Sequence, residues 1–285
     1  MQYEQGVKHV GSGMKLRWLG VAGLEFTVDD QVLVVDPFFS RFPLRRMWAG
    51  QVKSDPDLVA RYAPRCDFVL VSHTHWDHVM DVPDIVRNTG AEVFGSSNTW
   101  NLLVALGVPV DHIRVVAPGD GFSVGSFQVD VYAGRHDNMM GFPFATGRVS
   151  KNLRPPLRAK DYKMDSCFSF LIVVGETRCL VWNNTRPGPA VEADILFIAP
   201  GKGPGYYRTL LSSVRPKMVV PIHWDDLFRP LSEPIVPYVS PPSLLRPWPL
   251  RVDLNQFSRM IDKVGNGANV LVPKALDRYT IMFPG

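Results

Sequence analysis

Ser72-His73-Thr74-His75-Trp76-Asp77-His78 follows the apolar run Asp67-Phe68-Val69-Leu70-Val71. The run reads as a short buried strand, and the polar stretch reads HxHxDH at its end. Three imidazoles and one carboxylate so close together cannot all face one way on a strand or a helix. They fit a loop that curls around something needing nitrogen and oxygen donors, and imidazole and carboxylate are ligands that zinc prefers. A polar surface loop is the bland alternative. Clustering works against it, because neighbouring rings that charge below neutral pH repel one another. Of the seven histidines, His73, His75, His78, His136 and His223 lie in this stretch or downstream where they could join it. His9 and His112 are left as ordinary histidines.

Working outward, the 285 residues are 46% hydrophobic and 20% charged, the composition of a globular protein with ample core. The 23 Gly and 25 Pro suit a loop-rich α/β or β-rich chain better than a helical one. A net charge of +4 is mild, and no long Lys/Arg run marks a nucleic-acid module. Cys66, Cys167 and Cys179 lack metal-type spacing and read as buried free thiols of a cytoplasmic protein. The first residues show no apolar signal segment, and no stretch is apolar enough to span a membrane.

Residues 1–14 read as a loose polar arm. Strands are expected over 15–19, 24–28 and 32–35, the last ending in Asp36-Pro37. That Asp is either a turn former or a partner that orients a nearby ligand histidine. Residues 38–53 mix aromatics with Arg41, Arg45, Arg46 and Lys53, as a pocket cover or a surface flap would. Ser54 or Asp55 caps a helix with Pro56 in its first turn. Short helices are expected after Asp81 and from Thr99 to Leu106, the second capped by Ser97-Asn98, with a strand at 92–94 between them. A hairpin over 121–132 leads into Arg135-His136, a second histidine just past a strand end. Residues 138–164 show no periodicity, and their Met, Phe, Arg and Lys content suggests a loop over a site. Arg148, Lys151 and Arg154 are its candidate contacts to an anionic substrate. A second hairpin turns at Gly175-Glu176, and strands at 194–198 and 218–220 flank a helix at 206–214. Lys202, Tyr206 and Tyr207 follow the first of these strands and are further pocket candidates; His223 follows the second. A Pro-rich coil at 231–249, a last helix at 255–264 and two short strands complete one domain.

With the HTHWDH stretch, His136, Asn183-Asn184-Thr185 and His223 in hand, the chain resembles the metallo-β-lactamase-fold hydrolases. Within them it resembles the branch that includes the ascorbate-phosphate lactonases. The resemblance runs from Lys15 onward and is strengthened by Val35-Asp36-Pro37 and Pro221-Ile222-His223-Trp224. It implies an α+β fold, a four-layer αββα sandwich over residues 15–285 with metals at one edge of two sheets. It implies that His73, His75 and His136 hold a first metal and Asp77, His78 and His223 a second, as one or two zinc ions, with manganese or iron as alternatives. Where such proteins carry a bridging carboxylate, this sequence has Asn184, whose amide oxygen is neutral and a weak zinc ligand. The expectation is a weakly held second metal or a single-metal enzyme, with Asp225 or Asp226 compensating only if their loop folds inward. The implied activity is cleavage of an ester, lactone or phosphoester of a small anionic molecule by a metal-activated water, with Asp77 catalytic. A phospholipase D-like phosphodiesterase with a lipid-like substrate and a metal-binding homologue without turnover are the alternatives.

Overall fold

The computed structural model describes residues 3–5, 13–136, 144–188, 191–240, 250–265 and 267–282. The first half of the chain comprises β1 (Tyr3–Gln5), β2 (Gly13–Gly20), β3 (Gly23–Val28), β4 (Gln31–Val35), α1 (Arg45–Ala49), α2 (Pro56–Tyr62), β5 (Phe68–Leu70), α3 (Trp76–Val79), α4 (Val82–Thr89), β6 (Glu92–Gly95), α5 (Ser97–Ala105) and β7 (Ile113–Val115). The second half comprises β8 (Gly121–Val124), β9 (Phe127–Ala133), β10 (Phe168–Val174), β11 (Thr177–Trp182), β12 (Ile195–Ile198), α6 (Pro204–Val214), β13 (Met218–Pro221), β14 (Val239–Ser240), β15 (Leu250–Arg251), α7 (Leu254–Val264), β16 (Asn269–Val270) and β17 (Arg278–Met282).

These strands form an eight-stranded sheet, ordered β1-β17-β2-β3-β4-β5-β6-β7, and a seven-stranded sheet, ordered β16-β13-β12-β11-β10-β9-β8. A core of Phe26, Leu33, Phe127, Phe170, Phe197 and their neighbours fills the space between the sheets. The other face of the first sheet packs on α2, α4 and α5 through Val34, Val69, Val59, Ile85 and Leu102. The other face of the second packs on α6 and α7 through Leu180, Leu196, Leu210 and Ile261. This is the αββα sandwich expected of the sequence. Strands β4, β5 and β6 are parallel, so their ends reach one edge. In the second sheet β11, β12 and β13 are parallel. Because β10 is antiparallel to both β9 and β11, β9 runs with them. Sequence positions far apart are thus delivered to one rim.

Several local expectations need correction. Tyr3–Gln5 pairs with Tyr279–Ile281 as an edge strand within the segment read as an arm. The HxHxDH stretch is half extended and half helical: α3 begins at Trp76, with His78 N donating to His75 O. Helix α5 is capped by Ser96, whose side chain accepts from Thr99 N in a reciprocal capping box, rather than by Ser97 or Asn98. Asn98 is buried and spends its amide on Gly147 O, Lys163 O and Val149 N. It thereby ties the irregular segment 144–164 to the first helix layer, where Val149, Leu157, Ala159 and Tyr162 join the core. Met139, Met140, Phe142 and Pro143 lie outside the described residues. The stretch 38–53 divides: Phe38, Phe39, Phe42 and Met47 are core residues, while Leu44, Arg45, Arg46 and Trp48 lie at the surface. The three cysteines are free and buried. Among the described residues no helix is long and apolar enough to cross a membrane.

Trp76 anchors the site from below. Its ring lies against Phe38, Phe42 and Phe228 at centroid distances of 5.3, 4.7 and 5.8 Å. Trp76→Ala is expected to destabilise the fold by about 3–5 kcal/mol, measured by urea unfolding, because the rigid aromatic neighbours cannot close the cavity.

Candidate metal centre

His73 and His75 are two apart on extended backbone and therefore face the same way. Asp77 and His78 follow on the single turn of α3. His136 arrives three residues after β9, and His223 two residues after β13. The fold assembles them into two groups, His73 with His75 and His136, and Asp77 with His78 and His223. Within these groups the ligand-capable atoms lie within 4.8 Å of one another. Asp77 Oδ2 stands 3.5 Å from His78 Nε2 and 3.3 Å from His223 Nε2. The groups are contiguous: the His73 and His78 ring centroids are 3.8 Å apart.

Asp36 organises two of the rings. The residue has φ of 45°, and its Oδ1 accepts from Ser72 N at 2.7 Å. Its Oδ2 takes the Ser72 hydroxyl and, at 2.8 Å, His78 Nδ1. Because Ser72 Oγ donates to Asp36, it accepts from His73 Nδ1, 3.0 Å away. Both imidazoles therefore carry their proton on Nδ1 and turn an Nε2 lone pair toward the site.

The other anchor is a ring of contacts around His223. Its φ of 56° is left-handed, as is the 49° of Val21, and His223 N donates to Val21 O at 2.7 Å. Val21 N donates to Asp225 Oδ1, and Arg41 binds Asp225 Oδ2 at 2.7 Å with both side chains buried. Arg41 also donates to the carbonyls of Asp226 and Arg229. Asp225 is thus not a substitute ligand; it clamps the backbone that presents His223. Asp226 caps its own turn by accepting from Phe228 N. Stacking of Trp18 on Trp224, 5.0 Å between centroids, fixes the same turn.

The donor set fits a divalent cation. Nε2 of His73, His75 and His78 are each buried without a hydrogen-bond partner. An unsatisfied buried polar atom costs about 1–3 kcal/mol, so three in one place call for a ligand that binds lone pairs. Burial, reinforced by His78, His75 and His136, holds His73 well below the usual imidazole range. Burial lowers His75 to about 4, with His136 and His78 adding and Asp77 opposing. Both rings are therefore neutral near pH 7, as a metal ligand must be. Burial pushes the Asp77 carboxyl up, but His78, His223 and His75 outweigh it and hold the group below the ordinary carboxylate range. Burial lowers His78, and Asp77 and Asp36 outweigh it and raise the group. Asp36 holds the Nδ1 proton of His78, and Asp77, on the Nε2 side, is placed to share a cation with it.

A pocket of about 210 Å³ opens on the centre, lined by His73, His78, His136 and His223 together with Arg135, Trp182, Asn184, Lys202 and Tyr206. Asn184 lines the same pocket. Its Nδ2 donates to Ala133 O and its Oδ1 accepts from Arg186 N, so both ends of the amide are committed to backbone. Arg148, Lys151 and Arg154 do not line the pocket: they project from the segment that packs on α5, and Arg154 binds its neighbour's carbonyl. Tyr207 is buried, with its hydroxyl on Ala199 O. Lys202 and Tyr206 do line the pocket. Arg135 was not singled out in the sequence, and its place beside His136 was the one signal for it.

Residues 15–150 match the beta-lactamase superfamily domain. A UPF0173 metal-dependent hydrolase from Methanopyrus kandleri is 37% identical over 271 residues, covering 93% of this chain and 99% of that one. Another, from Anaeromyxobacter sp. strain K, is 33% identical over 218 residues, 74% of each chain. Among solved structures, Igni18, a metallo hydrolase from Ignicoccus hospitalis, shares the fold with a TM-score of 0.63 at 16% identity, over 95% of this chain and 100% of that one. Fold and site together define a metal-dependent hydrolase of the metallo-β-lactamase superfamily. Within it, this chain belongs to the UPF0173 metal-dependent hydrolase family.

Two substitutions separate the anchors. Asp36→Asn is expected to weaken metal binding by about ten- to a hundredfold, since it removes the acceptor that fixes two imidazoles. Asp225→Asn keeps an acceptor for Val21 but strips Arg41 of its counter-charge. It is expected to weaken only the cation held with His223, by about tenfold, as read by chelator-competition titration.

Proposed function

We propose that this protein cleaves an ester, lactone or phosphoester bond of a small anionic molecule with a metal-activated water, using zinc. The observation that carries the reading is the pair of contiguous donor groups, with three Nε2 atoms lacking a hydrogen-bond partner, four of whose histidines line an open pocket. His73, His75 and His136 would hold one cation, and Asp77, His78 and His223 the other. A bound dication lowers the pKa of water from about 15.7 toward about 7 and polarises a substrate oxygen.

The protein's own part is placement and charge. Asp36 keeps the His73 and His78 lone pairs aimed at the centre, so no reorganisation is needed when substrate arrives. Asp77, held well below the ordinary carboxylate range, is a poor proton acceptor and a good cation partner, which supports a ligand role over that of general base. Tyr206 donates to Asn184 O and holds the two loops that form one pocket wall at a fixed separation. Arg135 and Lys202 give that small pocket a positive rim, which supports an anionic substrate on residues other than those suggested by the irregular segment.

The two groups share no bridging carboxylate among the described residues, so their affinities are expected to differ. Zinc titration should give a tight first equivalent and a weaker second. Turnover of 4-nitrophenyl esters, a lactone panel and bis-4-nitrophenyl phosphate should vanish on chelation and return with zinc. Absence of bound metal together with metal-independent turnover overturns the reading. Asn184→Asp removes the donor to Ala133 O and places a carboxylate against that carbonyl. Repulsion turns it into the pocket, and affinity for the second zinc should rise by about tenfold or more.

A further inference from the structure

We infer that Arg135 is the residue that reads the substrate's charge, and that it grips a carboxylate or phosphate separate from the bond being cleaved. This inference rests on the hydrolase reading above and narrows its substrate class to esters carrying a second, permanent anion.

Arg135 sits one residue before His136, on the loop leaving β9. Its backbone is pinned on both sides: Arg135 N donates to Asn183 O at 3.1 Å, and Thr185 N donates to Arg135 O at 2.9 Å. A parallel bridge joins it to Asn184. The side chain has no such ties. Among the described residues its guanidinium makes no hydrogen bond or ion pair, although the residue lines the metal pocket. Six arginines of the fold are ion-paired, Arg17 with Glu25, Arg41 with Asp225, Arg87 with Asp84, Arg114 with Glu92, Arg215 with Glu192 and Arg229 with Glu233; of the arginines without such a partner, Arg135 is the one that lines this pocket. A guanidinium on rigid backbone in the pocket that opens on the two donor groups is set to meet an anion brought from solution, and its planar fork matches a carboxylate or phosphate.

The position also separates the two jobs. The imidazoles of His73 and His78 lie at the pocket floor and are almost fully buried, whereas Arg135 is exposed at the rim. Lys202 lines the same pocket from the loop between β12 and α6, and adds positive charge on another element. An anion bound at this rim would place the next few bonds of the substrate over the donor groups. A simple phosphodiester, whose only charge is on the reacting phosphorus, would leave Arg135 unused. The favoured substrate is therefore a small ester or lactone with a carboxylate or phosphate a few bonds from the scissile carbonyl.

Matched substrates test this. 4-Nitrophenyl valerate and mono-4-nitrophenyl glutarate have the same chain length and differ by a terminal carboxylate. The zinc-loaded protein is expected to prefer the glutarate ester in kcat/KM by about tenfold or more, and Arg135→Gln to collapse that ratio, chiefly through KM. Arg135→Lys should restore part of it, since the charge returns without the fork. Calorimetric binding of glutarate and of inorganic phosphate to the zinc-loaded protein gives a readout independent of turnover, and should weaken by about tenfold in Arg135→Gln. If glutarate binding depends on Arg135 but no ester, lactone or phosphoester is hydrolysed, the hydrolase reading fails and the anion site stands. If esters are hydrolysed with zinc while binding and the substrate ratio ignore Arg135, the anion site is overturned alone.

Discussion

Burying an imidazole nitrogen without a partner is unfavourable, and this fold does it three times within a few ångströms. The rest of the architecture can be understood as what holds those atoms there. The strands bring their ends to one rim, so that residues remote in sequence share a small volume. Asp36 and Ser72 take up the Nδ1 side of two rings, which leaves the Nε2 side to the centre. Trp76 and its aromatic neighbours fill the space beneath, so the loop cannot relax by turning a ring away. A dication resolves the cost because it binds lone pairs that a hydrogen-bond donor would otherwise have to reach.

Much of this was legible in the sequence, and the reason is periodicity. Strands β2 to β5, the hairpin over 121–132 and the one turning at Gly175-Glu176 announce themselves by apolar runs punctuated by turn residues, and histidine recurs just past the ends of β5, β9 and β13. What was not legible depends on tertiary partners. Asn98 looked like a helix cap, but Ser96 takes that role and Asn98 organises a distant segment through three backbone groups. The charges of that segment looked like substrate contacts because a run of Arg and Lys after a ligand histidine suggests a lid. Their backbone instead belongs to the first helix layer. Arg135 carried no pattern of its own, since a single arginine beside a histidine is distinguished only by what the fold leaves it without.

Asn184 shows how a departure from a family pattern is absorbed locally. A bridging carboxylate would have to remain uncommitted until the cations arrive. The amide instead donates to Ala133 and accepts from Arg186, and its backbone carbonyl takes the Tyr206 hydroxyl. The loop is therefore tied at three points by its own hydrogen bonds. On the proposed reading, one negative charge fewer would weaken a second cation's site, while the fixed loop keeps the pocket wall in place.

That loss of charge bears on the substrate as well. With only Asp77 in the donor groups and Asp36 behind them, two dications would leave the pocket strongly positive, and Arg135 and Lys202 at the rim would increase it. Such a field draws anions from solution and raises their encounter rate. It would also trap them: an anion bound directly to the metals blocks the place where water must act. An exposed guanidinium at the rim offers the substrate's permanent charge a competing partner away from the floor. The charge that attracts the molecule is then held apart from the bond that reacts, and the missing carboxylate and the unpaired arginine become two sides of one electrostatic arrangement.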